Sequence, residues 1–173
     1  MKIRDAFARL LIVLFFLTAF RQSAVACPQD IARTTDAFIR LYVAGDLTVN
    51  AAKKLLGDKS LVERHSSYWR IQSDRKLMEM VLHAESQDKP VEDADLRLKL
   101  ESGLVLNDLE KSLGHWQLVF ASKTSSVSFR VGGRGGKSAI VFARLFTPKP
   151  LPESPVTSVL LRRDEGKQGQ GAR

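Results

Sequence analysis

Residues 29–44 place Ile31, Thr35, Phe38, Tyr42 and Gly45 at steps of three and four, with Leu41 alongside. Asp30, Arg33, Asp36 and Arg40 lie largely elsewhere, so the segment predicts a helix with one apolar face. Gly45 is its natural stop, because glycine takes the left-handed backbone beyond a helix end at no steric cost. Thr48 caps a second, short helix carrying Ala51, Ala52, Leu55 and Leu56, which Gly57 ends. Ser60-Leu61-Val62-Glu63 has the form of a capping box, in which serine and glutamate satisfy the orphan amides of a first turn. It predicts a helix through Tyr68, Leu77, Met80, Val81 and Ala84 to Ser86, with Ser73-Asp74 as a break point. Lys89-Pro90 marks a loop.

Residues 94–113 are ambiguous. Leu96, Leu98 and Leu100 alternate with Arg97 and Lys99, and Leu104 and Leu106 resume the pattern after Ser102-Gly103. That predicts a small hairpin or a loop to 106, then a short helix capped by Asn107 with Glu110 three residues later. Leu98, Val105, Leu109 and Leu113 would also share one face of a helix. From 115 the period becomes two: Trp116, Leu118 and Phe120, then Val127, Phe129 and Val131. Residues 139–146 are almost continuously apolar, as in a strand covered on both sides, and Val156 to Leu161 makes a fourth strand. The connections Ser122–Ser126, Gly132–Lys137 and Thr147–Pro155 are short enough for an antiparallel meander.

Helices followed by strands describe an α+β domain, with N-terminal helices packed on a curled, mostly antiparallel C-terminal sheet. With helix 1 ending Leu41-Tyr42-Val43-Ala44-Gly45-Asp46-Leu47 and a late meander closing Val159-Leu160-Leu161-Arg162-Arg163-Asp164-Glu165-Gly166-Lys167, the chain resembles the nuclear transport factor 2-like (cystatin-like) superfamily. Within it the likeness is to small exported bacterial proteins of unknown function. The resemblance implies a cone that is either filled or houses an acid–base pair. The chain departs from the pattern at Gln168-Gly169-Gln170-Gly171, where a large apolar residue is usual. Residues 164–173 therefore read as a flexible polar tail.

The first 26 residues read as a signal peptide, leaving one domain over 27–163. Lys2, Arg4 and Arg9 precede the uncharged run Leu10–Phe20, whose eleven residues fall short of a span, which needs ~20. They match the apolar region of a signal peptide, about 7–15 residues. Ala24-Val25-Ala26 fits a cleavage site. Val25-Ala26-Cys27 also resembles the end of a lipobox, although Ala24 stands where leucine is usual. Simple cleavage and lipidation at Cys27 both stay open, the former favoured. The protein is then periplasmic or secreted, or a membrane-anchored lipoprotein.

The 173 residues are 44% hydrophobic and 27% charged, values of an ordinary globular chain. The net charge is +8. Without segment 1–26, which holds Lys2, Arg4, Arg9 and Arg21 against Asp5, 23 basic and 18 acidic residues remain, or +5. For an exported protein this excess suits anionic lipid or acidic proteins better than nucleic acid, and a solvated mixed-charge surface accounts for it more simply than either.

Candidate chemistry is sparse. A single cysteine excludes an internal disulfide, and His65, His83 and His115 lack the i, i+4 spacing of helical metal ligands. Neither a metal nor a cofactor is expected. Gly132-Gly133-Arg134-Gly135-Gly136-Lys137-Ser138 ends like a phosphate loop, but Val131 stands where that motif needs glycine. It reads as a hairpin loop with Arg134 and Lys137 open to an anion. His65, Tyr68, Trp69 and Trp116 are candidates to line a pocket, and Asp36 and Asp46 candidates to face it as a base. Two readings follow: a non-catalytic binding protein for an envelope protein or a small apolar ligand, and an isomerase- or hydrolase-type enzyme with a His–Asp pair. A structural lipoprotein anchored at Cys27 is a third.

Intact-mass measurement of protein from the cell envelope is expected to show a chain beginning at Cys27, with or without acyl mass. Retention of Met1–Ala26 in correctly located protein would refute the export signal.

Overall fold

The computed structural model describes residues 28–164, apart from 75, 122 and 134–136. Residues 1–26, expected above to be a signal peptide, Cys27, Arg134 and residues 165–173 of the expected tail lie outside the described residues. Helix α1 spans Pro28–Ala44. A proline in the first turn costs little, since its missing N–H would be unpaired there anyway. Ile31, Thr35, Phe38, Ile39, Tyr42 and Val43 form its buried face. Gly45, at φ +84°, ends it as expected. Helix α2, Val49–Leu56, is capped by Thr48, whose Oγ1 accepts from Ala51 N at 3.1 Å.

The next stretch departs from the sequence expectation. The capping-box tetrapeptide opens a strand, not a helix. Residues 61–83 form β1 (Leu61–Arg64), β2 (Trp69–Gln72) and β3 (Met78–His83). Trp69 and Ile71 are buried while Arg70 and Gln72 face outward, and Met78, Met80 and Leu82 are buried around Glu79. This period of two decides the structure, and helical spacing read across Ser73-Asp74 concealed it. Ser73-Asp74 is the turn between β2 and β3.

Of the hairpin or loop expected over 94–106, the hairpin is absent. Asp93–Leu98 is one strand, β4, and Leu100–Ser102 a 3-10 turn closed by Gly103 at φ +72°. The alternation of Leu96 and Leu98 was the right signal, but their partners are Met80 and Met78 on the preceding β3 and, for Leu96, Val159 on the distant β8. Helix α3, Leu106–Leu113, starts earlier than expected. Its cap is Val105, whose N–H donates to Asp108 Oδ2 at 3.3 Å.

The remaining strands are β5 (Gln117–Ala121), β6 (Ser125–Gly132), β7 (Ser138–Leu145) and β8 (Val156–Arg163), joined as a meander. Among the described residues the chain is thus α+β, with three helices and one open antiparallel sheet in the order β1-β2-β3-β4-β8-β7-β6-β5. The sheet is not confined to the C-terminal half. Two four-stranded meanders meet where β4 pairs with β8, and α3 lies in the crossover between them.

Strand β7 corrects a further expectation. Ala139, Val141, Ala143 and Leu145 are buried, whereas Ile140 and Phe142 are only partly so and Arg144 is exposed. The strand is covered on one side. One buried cluster joins Phe38, Ile39 and Tyr42 of α1, Val49 and Ala52 of α2 and Leu106 and Leu109 of α3 to the inward residues of the strands.

Phe38 is fully buried in that cluster. Phe38→Ala is expected to lower stability by about 3–5 kcal/mol, measured by chemical denaturation. A near-neutral result would place α1 outside the core.

Candidate functional site

The four residues expected to line a pocket do not converge. Trp69 is in the core at 7% exposure, its indole N–H donating to Ala84 O at 3.2 Å. The Arg64 guanidinium lies 5.2 Å from its ring centre. Trp116 precedes β5 at the opposite edge of the sheet, half-buried against the same core. His65 and Tyr68 do meet: their rings stack at 4.4 Å and 17°, with His83 tilted 6.1 Å from Tyr68. His83 Nδ1 lies 3.1 Å from Ser67 O. A carbonyl can only accept, so this nitrogen carries the proton. With Glu85 and Glu92 these residues line a surface hollow of about 290 Å³.

The hollow lacks the geometry of a His–carboxylate pair. His65 Nε2 is 3.8 Å from Glu63 Oε2 and has no hydrogen-bond partner. A general base and its orienting group need a heavy-atom distance of about 2.6–3.2 Å. His115 is fully exposed, 3.5 Å from Glu110. Asp36 is occupied on both oxygens, by Arg40 Nε at 2.7 Å and by the Ser112 hydroxyl, so it ties α1 to α3. Asp46 is exposed beyond Gly45. Among the described residues, no group of three His, Cys, Asp or Glu is placed to hold a metal.

Lys137 is engaged by the fold. Its Nζ donates to Ala44 O at 3.1 Å, supplying a positive group to the carbonyl end of α1. Close by, Tyr42 is nearly buried and its hydroxyl donates to Glu92 O at 2.6 Å. Burial, then the charge of Asp93, pushes its phenol up to about 12 against a counter-effect from Arg163.

The sequence reading missed the outward face of the sheet. Its two halves differ in chemistry. Across β1–β4, Glu79 accepts from Arg70 at 2.6 Å and Arg97 at 3.3 Å. Arg97 also meets Asp95 at 3.1 Å, and Arg70 lies 3.7 Å from Glu63. The hydrogen bond and the charge of Glu79 hold the Arg70 guanidinium above its ordinary value. This half is a closed ionic lattice.

Across β5–β8 the outward rows mix apolar and cationic side chains with the hydroxyls of Ser126, Ser128 and Ser158. Leu160 stands opposite Phe142, Ile140 opposite Arg162, and Arg144 opposite Ser158. Arg130 reaches Asp164 at 3.2 Å, while Arg144 and Arg162 form no ion pair among the described residues. A hollow of about 360 Å³ lies here, lined by His115, Gln117, Ser128, Arg130, Ile140 and Phe142. The signal was in the sequence: apolar residues at both parities of β7 demand a cover on both faces. Among the described residues the chain covers one.

Comparison of the chain with protein-family models, with curated proteins and with solved structures finds no match.

Because Tyr42 holds its proton more tightly when folded, its contribution to stability is full below its ordinary value of 10.0 and is lost as pH rises toward about 12. Tyr42→Phe is expected to flatten that alkaline loss. At neutral pH it costs about 0.5–1.5 kcal/mol for the hydrogen bond. Denaturant titrations across the alkaline range test both effects, and parallel pH profiles for parent and variant would refute the first.

Proposed function

We propose that the chain is an exported protein of the bacterial cell envelope that acts by binding rather than by catalysis, through the outward face of β5–β8. The observation that carries this reading is the closed interior. Trp69, Phe129, Met80 and Leu96 fill the inward side of the sheet, where a cone-shaped enzyme would keep its pocket. The hollow of about 200 Å³ beside this core, lined by Ile31, Leu55, Leu56, Leu77 and Met78, contains no histidine, and the histidines have no hydrogen-bonded carboxylate.

The partner this face suits is an envelope protein offering apolar and acidic side chains. Phe142, Ile140 and Leu160 supply apolar area, and Arg144 and Arg162 supply charge without an internal partner among the described residues. Mixed apolar–arginine surfaces are common at the centres of protein interfaces. The N-terminal signal features support delivery to the envelope, with Cys27 as the first residue after cleavage or as an acylated anchor. A curled sheet with the helices filling its inner side, in the manner of the nuclear transport factor 2-like superfamily, is the architecture of this reading.

A photo-crosslinking side chain at Phe142 is expected to capture a partner in the intact envelope, and one at Glu79 on the ionic half is not. Leu160→Asp should abolish the adduct while the protein stays folded. Capture from Glu79 but not Phe142, or turnover that depends on His65, would overturn the proposal.

A further inference from the structure

The strand register gives the sheet two chemically different ends. Leu61 pairs with Gln72 and Gln72 with Glu79, so the start of β1, the end of β2 and the start of β3 lie together. Met78 pairs with Leu98 and Arg97 with Ser158, which adds the end of β4 and the start of β8. Leu145 pairs with Val156 and with Ser125, and Ser125 with Ala121, which completes the same end with β7, β6 and β5.

The large apolar residues that remain exposed gather at this end. Leu61 opens β1 and Leu100 follows β4. Phe120 and its neighbours Leu118 and Val119 lie on β5, which runs only beside Ser125–Ser128, the first half of β6. Phe146 follows β7 and Leu151 lies in the connection to β8. Phe120 and Phe146 are 57% and 58% exposed, high values for aromatic side chains. The opposite end carries His65, His83, Glu92, Asp93, Arg162 and Arg163. Exposed apolar groups concentrated in one region mark an interaction site.

The direction of α1 identifies what this end meets. Ile31 lines a cavity of about 200 Å³ with Leu56, Leu77 and Met78, so α1 starts at the apolar end. Tyr42 and Val43 reach Ala139 and Arg163 at the other. The residues before Pro28, which include Cys27 and the uncharged run Leu10–Phe20, therefore join the fold at its apolar end. An acyl chain on Cys27, or the apolar run before cleavage, would hold that end against a membrane. No helix among the described residues is long and apolar enough to cross one.

We propose that the sheet end bearing Leu61, Leu100, Phe120, Phe146 and Leu151 docks on a lipid bilayer surface, on the side where the N-terminus meets the membrane. The proposal rests on the envelope reading given above; its surface is the end of the sheet, which adjoins the β5–β8 face at Phe120, opposite Ser126. Lys59, Lys76, Lys99, Lys123 and Lys149 lie in the connections at this end among Asp58, Asp74, Glu101 and Glu153. With both signs interleaved, apolar contact carries the docking, and neither anionic lipid nor low salt is required.

The test uses the full chain with vesicles of brominated phosphatidylcholine, which quench indoles that enter the acyl region. Phe146→Trp and Leu61→Trp add a probe at the docking end, and Ser66→Trp adds one in the exposed turn between β1 and β2 at the far end. Each is read against the parent, which carries Trp69 and Trp116. The probes at 146 and 61 are expected to sit about 5–10 Å into the interface and lose most of their emission, unchanged by added salt. The probe at 66 should keep its emission. Attachment through the N-terminal segment alone would leave all three unquenched and overturn the proposal. Equal quenching at all three would overturn the orientation. Unquenched probes with a doubled mass in light scattering would assign the end to a second copy and equally refute bilayer docking. Phe120→Asp with Phe146→Asp, both at exposed positions, should restore emission at position 61 in the Leu61→Trp chain. A chain left unprocessed in cells would refute the export reading without altering the vesicle result. A processed chain with unquenched probes would do the reverse.

Discussion

The pairing of β4 with β8 is the seam on which the architecture depends. Ala94, Leu96 and their partners Leu161 and Val159 are all fully buried, so ladder hydrogen bonds and core packing act at the same place. Without this seam the chain would be two four-stranded meanders, each with a newly exposed edge of unpaired amides and carbonyls. With it, one long and two short helices serve one continuous inward face. The seam also sets the direction of every strand, and hence which loops share an end of the molecule.

That economy has a geometric consequence. Helices packed along one side leave the other side of the sheet to solvent, and the chain treats its two outward halves differently. Over β1–β4, neighbouring strands alternate carboxylates with guanidinium groups, and Glu79 joins two arginines at once. Such exposed pairs contribute little stability individually, but they keep this half wet. Over β5–β8 the same positions hold Ile140, Phe142 and Leu160, and the arginines beside them lack that saturation.

Where neighbours in sequence are neighbours in space, the fold was legible. Thr48, Gly45 and Gly57 act locally, and each does what its chemistry dictates. The late meander was readable because its strands are long and its connections short. Residues 61–83 were not, since four-residue strands leave too few alternations to outweigh one capping-box tetrapeptide. Their true partners are set by hairpin turns at 65–68 and 73–77. The role of β4 was hidden for a different reason: its second partner lies some sixty residues on, beyond the reach of any local pattern. Of the candidate site, the stacking of His65 on Tyr68 fits their three-residue separation, whereas the placement of Trp116 required the complete sheet order. The outward apolar row of β7 was visible as composition and misread as double coverage.

Strand β5 has one more property. It is an uncharged edge with apolar residues at its centre, the kind of segment that adds strand upon strand into fibrils. The register shift between Leu118 and Phe120 interrupts its even spacing of free amides and carbonyls. A bulge of this kind twists an edge away from a flat partner. The opposite edge, β1, has only four residues, two of them Glu63 and Arg64. Neither side of the sheet offers a long, regular template, so copies crowded together while folding meet edges that are short or interrupted.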